Sequence, residues 1–173
     1  MALTITSTVG GSASNSFVTV AEMTTYCEGR LNASVWVATP AQEPALVEAT
    51  RELSMMDWLG LTVSETQALS WPRQYVPDPE SPSGQYFAST EIPQRIKDAT
   101  CELALQFLKA GTTDISAAST TDGVIEKTVD VLTTRWADPR ALKQGIKRYP
   151  SVYRFIRPLL AANPGVVVTL VRS

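Results

Sequence analysis

Histidine is missing from all 173 residues of the chain. Its absence removes the commonest general base, the Ser/His and Cys/His nucleophile pairs, and most catalytic zinc sites. Cysteine is nearly as scarce. Cys27 and Cys101 belong to no CxxC pair, so small core hydrophobes in a reducing compartment are expected. The longest apolar runs are a few residues, as in Val166-Val167-Val168, far short of the roughly 20 that span a bilayer. The opening MALTITSTVGG has neither a basic n-region nor an apolar h-region, so neither a secretory signal nor a membrane partner is expected. Acids, finally, all but vanish from the C-terminal end. Residues 135–173 carry 8 Lys/Arg against the single Asp138, whereas residues 1–134 carry 7 Lys/Arg against 16 Asp/Glu. The overall charge of −2 therefore hides a body at −9 (7 − 16) and a tail at +7 (8 − 1), an asymmetry that fits either a solvated face with a cationic C-terminus or an arm that reaches an acidic surface of a partner.

What is present reads as globular. At 44% apolar and 18% charged residues, the chain is long enough to bury a core without metal or disulfide. Catalytic chemistry is not indicated. Glu48 and Glu52, one helical turn apart, suit a solvated face; Asp78 and Glu80 sit among prolines that match no calcium loop; Gly10-Gly11 lacks a phosphate-binding lysine. No enzymatic activity and no cofactor are expected.

The pattern predicts a mainly α protein: a small helical bundle body with short β-strands at the N-terminus and in the C-terminal segment. Leu3, Ile5 and Val9 alternating with threonines predict an N-terminal strand over 3–9. Thr19 and Glu22 form a capping box opening a helix over 20–31, and Thr39-Pro40 with Gln42 repeats the signal for a helix over 41–59, stopped by Gly60. Pro93 opens the strongest helix, 93–110, with Ile96, Ala99, Leu103, Ala104 and Phe107 on one stripe and Lys97, Glu102 and Lys109 on the opposite edge. The proline-rich stretch 74–92 reads as a surface loop, a contact element or a mobile segment. On this reading residues 1–111 form the body, 112–123 a Ser/Thr/Ala-rich linker, and 124–173 a basic β/α docking segment. That segment is expected to hold a strand over 124–134, a helix near 150–160 interrupted by Pro158, and a final strand over 166–171.

The tail also interleaves aromatics with cations: Arg135-Trp136, Arg148-Tyr149 and Tyr153-Arg154-Phe155-Ile156-Arg157. Stacking rings beside cations are what sequence-tolerant single-strand binding requires. Arg135, Arg140, Lys143, Lys147 and Arg148 are the candidate nucleic-acid contacts. The alternative is that Tyr153, Phe155 and Trp136 pack the tail's own apolar stripe, and a sequence pI near 5.2 counts against DNA binding by the protein as a whole.

Four stretches carry a resemblance: NSFVTVAEMTTYCEGR, LVEATRELSMMDWLGLTVSETQALSWPR, IPQRIKDATCELALQFL, and the closing PSVYRFIRPLL with VTLVRS. They resemble a family of small tailed-bacteriophage proteins filed as DnaT-like single-strand-binding proteins. The likeness is most specific in SETQALSWPR, at Gln67, Ala68, Trp71, Pro72 and Arg73, and omits 74–90, 112–123 and about 137–148. The resemblance implies a head–tail connector, or adaptor, of the virion neck. Such a subunit would form a homo-oligomeric ring, expected as a dodecamer, between the portal protein and a tail, stopper or tail-terminator protein. It would be assembled in the host cytoplasm and would have DNA in its channel. Under that expectation Trp71, Arg73, Arg154, Arg157, Val166, Val168, Leu170 and Arg172 are the partner-docking residues, the terminal strands adding to sheet edges of neighbours; the alternative for Trp71-Pro72-Arg73 is a buried tryptophan ending a helix. The second implied reading is a single-strand DNA-binding accessory protein of phage replication.

Overall fold

The computed structural model describes residues 3–31, 33–37, 39–111, 126–129, 132–135 and 145–161. It is mainly α, as expected, with five α-helices and two short antiparallel strand pairs among the described residues. The capping box opens α1 (Val20–Glu28): the Thr19 hydroxyl accepts the Glu22 N–H at 3.1 Å, and the Glu22 carboxylate accepts the Thr19 N–H at 2.7 Å. One further turn, α2 (Ser34–Val37), buries Trp36, whose indole N–H donates to the Thr24 hydroxyl at 3.1 Å.

α3 (Gln42–Ser54) is shorter than the expected 41–59 at both ends. The Thr39 hydroxyl accepts the Ala41 N–H at 3.0 Å, which forms a local turn ahead of the helix and not a cap on it. At the other end the Trp58 indole donates to the Leu53 carbonyl at 2.9 Å, satisfying an orphan helix acceptor and turning the chain back. The chain then pairs β1 (Leu61–Thr62) with β2 (Arg73–Gln74), Leu61 opposite Gln74.

Between those strands the SETQALSWPR block is held by its own side chains. The Gln67 side-chain oxygen accepts from the Val63 and Ser64 N–H groups, both at 3.0 Å, and its amide donates to the carbonyls of Leu69 and Pro72. Trp71 is 1% exposed and meets Trp58 edge-on, ring centroids 5.6 Å apart. Arg73 donates to the carbonyls of Leu59 (2.7 Å), Gly60 (2.7 Å) and Ser70 (3.2 Å), and burial pulls its guanidinium below the ordinary pKa. The loop that follows folds back on itself, with an Asp78 N–H to Gln85 carbonyl bond of 2.8 Å and a Phe87 N–H to Val76 carbonyl bond of 3.0 Å.

α4 (Gln94–Ala110) is the central helix and ends at the left-handed Gly111. It buries more than the one expected stripe, because α3 packs on one side and α5 (Pro150–Ile156) on another. Cys101, Glu102 and Leu105 are therefore buried beside Ile96, Leu103 and Phe107, and Glu102 does not lie on an exposed edge. Burial pushes the thiol pKa of both cysteines up, which fits the inert role expected for them.

Two expected strands differ. Residues 3–9 form no strand: the Thr6 N–H donates to the Asn15 side chain at 2.8 Å and the Thr6 carbonyl accepts from Asn15 and Ser16, so local loop contacts replace sheet pairing. The stretch expected as one strand over 124–134 contains two, β3 (Glu126–Val129) and β4 (Leu132–Arg135), paired antiparallel with Val129 opposite Leu132. The expected linker 112–123 and strand 166–171 lie outside the described residues.

Residues 145–161 belong to the same core as the body. A 3₁₀ turn (Gly145–Arg148), α5 and a second 3₁₀ turn (Arg157–Leu159) bury Ile146, Val152, Ile156 and Leu159. Pro158 thus converts the end of the expected 150–160 helix into a tighter turn. Backbone bonds from the Leu59 N–H to the Leu159 carbonyl (2.9 Å) and from the Ala161 N–H to the Asp57 carbonyl (2.8 Å) stitch this segment to the body. Within the described residues α5 packs against α4, so this part of the segment expected as 124–173 shares its core with residues of the body. No helix among the described residues is long and apolar enough to cross a membrane, and no group of three or more His, Cys, Asp or Glu is placed to hold a metal ion there.

Candidate nucleic-acid interface

The spacing of α5 decides which of its residues face outward. Val152 and Ile156, four apart, point into the core, which leaves Pro150, Tyr153, Arg154 and Arg157 on one outward face at helical spacing and Ser151, Arg154 and Phe155 on the adjacent one. Each face borders a concavity. The first, about 220 Å³, is lined by Lys147, Pro150, Tyr153, Arg154 and Arg157. The second, about 350 Å³, is lined by Tyr26, Arg30, Glu102, Ser151, Arg154 and Phe155. Arg154 belongs to both, so the two form neighbouring parts of one surface.

Lys147, Arg154 and Arg157 are exposed. No ion pair forms on any of the three within the described residues. Tyr153 and Phe155 are half-buried and pack against the core cluster, each also lining one of the concavities. Tyr149, by contrast, is taken up by packing: its ring meets Phe107 edge-on at 6.3 Å. Residues 145–161 contain no acid.

Among the described residues the one acid lining either concavity is Glu102, and it is neutralised in place. It accepts hydrogen bonds from Arg30 Nε and, at 3.0 Å, Arg30 Nη2, and from the Tyr26 hydroxyl at 2.7 Å. Burial by itself would raise the carboxyl pKa, but these donors outweigh it and hold the group below the usual carboxylate range. Tyr26 moves upward, through burial first and then its bond to Glu102, and stays a neutral donor. Arg30 moves upward through its bonds to Glu102.

Of the residues named from the sequence, the structure brings together Lys147, Arg154 and Arg157, with Arg148 in the same 3₁₀ turn as Lys147. Arg135 ends β4, in register with Glu126. Arg140, Lys143, Val166, Val168, Leu170 and Arg172 lie outside the described residues. Trp71 and Arg73 present no docking surface: the first is enclosed and the second spends its donors on the chain's own carbonyls. Arg30, Tyr26 and Glu102 escaped the sequence reading because Tyr26 is on α1, Arg30 just beyond its C-terminus and Glu102 on α4, and only packing unites them.

No curated protein and no solved structure matches the chain. A family model described as "Putative DnaT-like ssDNA binding protein" matches residues 1–173. That description concerns single-stranded DNA and favours the alternative reading, so the expected role as a head–tail connector is withdrawn. With the match running over every residue, the chain belongs to the DnaT-like single-stranded-DNA-binding family.

Proposed function

We propose that the protein is a single-strand DNA-binding accessory protein, without catalytic activity, and that it holds the strand along the outward face of residues 145–157. One observation carries the assignment: Lys147, Arg154 and Arg157 stand exposed, without ion-pair partners among the described residues, beside the half-buried rings of Tyr153 and Phe155, on α5 and the two 3₁₀ turns that flank it. Phosphates meet the cations, bases meet the ring faces, and a strand so held needs no sequence-specific pairing. The net negative body does not oppose this, because the acids of the chain lie outside residues 145–161.

The test is fluorescence anisotropy on a labelled oligothymidine over a salt series. Single-strand contacts contribute a log–log slope of about −0.7 per phosphate, so three cations predict a slope near −2. In the variant combining Arg154→Ala with Arg157→Ala the slope is expected to flatten to about −0.7 as affinity falls. Absence of binding at low salt, or a double variant with unchanged slope and affinity, overturns the proposal.

A further inference from the structure

The second concavity differs in chemistry from the first. The first is rimmed by uncompensated cations, whereas the interior of the second holds a positive and a negative charge that cancel, Arg30 against Glu102, between the rings of Tyr26 and Phe155. A phosphate gains most from the first and from Arg154 at the shared rim. A flat neutral group with hydrogen-bonding edges suits the second, whose volume of about 350 Å³ lies within the range of small-molecule pockets.

Arg30 defines which edge. A guanidinium has five N–H donors in one plane. Glu102 occupies the Nε side and one Nη2 hydrogen, which fixes the plane and leaves the Nη1–Nη2 end, three donors and no acceptor, uncommitted among the described residues. The Tyr26 hydroxyl is committed to Glu102 as well, so it supports the pair. A fixed fork of donors selects two adjacent acceptors. Guanine offers O6 and N7 side by side on a large purine face; an unpaired cytosine offers O2 and N3 but a smaller ring to stack on Phe155, adenine sets a donor amine beside its acceptors, and the O2 and O4 of thymine flank an N–H donor.

We infer that the concavity between α1, α4 and α5 is a nucleobase subsite with a preference for guanine, the base stacked on Phe155, its O6/N7 edge on Arg30, and Glu102 and Tyr26 as positioning residues. The inference rests on the single-strand reading above and adds to it a base preference that a purely electrostatic track does not have.

The experiment compares an oligothymidine with the same oligonucleotide carrying one central guanine, adenine or cytosine, by competition anisotropy at fixed salt. The guanine oligonucleotide is expected to bind about tenfold tighter than oligothymidine, and the adenine one less than threefold tighter. Arg30→Ala is uninformative if it fails to fold, because it strands a buried carboxylate. Arg30→Lys keeps a cation beside Glu102 but lacks the planar fork, and it is expected to abolish the guanine preference. Phe155→Leu keeps the bulk without the π-face and is expected to weaken the guanine complex about fivefold or more. Equal affinity of the wild-type protein for all four oligonucleotides overturns the subsite while leaving the cationic track intact. A guanine preference that survives Arg30→Lys overturns the assignment of Arg30. Failure of every oligonucleotide to bind strikes the single-strand reading itself.

Discussion

Replacing Arg30 by Met removes the cation paired with Glu102, a residue that is 2% exposed, and the structure fixes what that should cost. Breaking a buried ion pair by removing one partner costs about 3–5 kcal/mol, because the other charge is left uncompensated. Here the Arg30 side chain is 40% exposed and Tyr26 still donates to Glu102, so water and one hydrogen bond soften the loss to about 2 kcal/mol. With a urea m-value of about 2 kcal/mol/M, the midpoint of equilibrium denaturation should fall by about 1 M. The double variant Arg30→Met with Glu102→Leu removes both charges and fills the space with apolar atoms, and should return to within about 1 kcal/mol of wild type. The pH dependence follows from the same pair. The folded pKa of Glu102 is depressed, so its contribution is complete above the ordinary glutamate value of 4.5 and is lost as pH falls through the lower folded value. Glu22 is also depressed, burial raising it but the bonds from Lys97 and Thr19 prevailing, and it contributes acid sensitivity in wild type and double variant alike. The difference between the two acid-denaturation curves isolates Glu102. If the double variant is destabilised by the sum of the two single losses, the pair has no coupling and the reasoning fails.

Two further outcomes test the fold. At Gly60, φ is +70° and an added Cβ would collide with the Gln74 carbonyl oxygen and stand 2.7 Å from Val76 Cγ2, so Gly60→Ala should cost about 3 kcal/mol or more by urea denaturation. Gly84 has nearly the same φ, +67°, with nothing within 4 Å of an added Cβ; Gly84→Ala should cost about 1 kcal/mol, separating backbone strain from collision. Ending the chain at residue 144 removes Ile146, Val152, Ile156 and Leu159 from the core, about 6–12 kcal/mol of apolar burial against a whole-domain stability of about 5–15. Near-UV circular dichroism of that truncation should show lost tertiary packing; a cooperative, native-like spectrum would show that the body folds without α5.

The elements legible in the sequence were those with a local cause. Thr19 and Glu22 satisfy each other's backbone across three residues, and the α4 stripe repeats at helical spacing, so α1 and α4 could be placed from a short window. Where a distant partner decides, the window failed. The alternation of residues 3–9 promises a strand, but Asn15 supplies the hydrogen bonds a second strand would have given. The pattern after Gly60 promises nothing regular, yet Gln67 and Arg73 hold it through donors that reach carbonyls up to fourteen positions away. That network also explains why SETQALSWPR carries so specific a resemblance. Its polar residues close a loop whose tryptophan is buried, so their identities are set by internal bonding and not by contact with a partner.

The interface divides in the same way. Lys147, Arg154 and Arg157 could be nominated from the sequence because charge and aromatic spacing are properties of a single segment. The Arg30–Glu102 pair could not, because the two residues lie 72 positions apart and Glu102, read along α4 alone, falls on the polar edge. Packing from both sides encloses it, Tyr26 and Arg30 on one and α5 on the other, and α5 is held there by Val152, Ile156 and Leu159. The residues that make α5 part of the core therefore also complete the site: they set Arg154 and Phe155 beside the Arg30–Glu102 pair. Docking converts the same side chains into a neutral, ring-lined recess behind a cationic rim. On the proposed function the same helix serves the core and the strand, so substitutions at the buried Val152 or Ile156 should weaken DNA binding although neither side chain lies on the outward face.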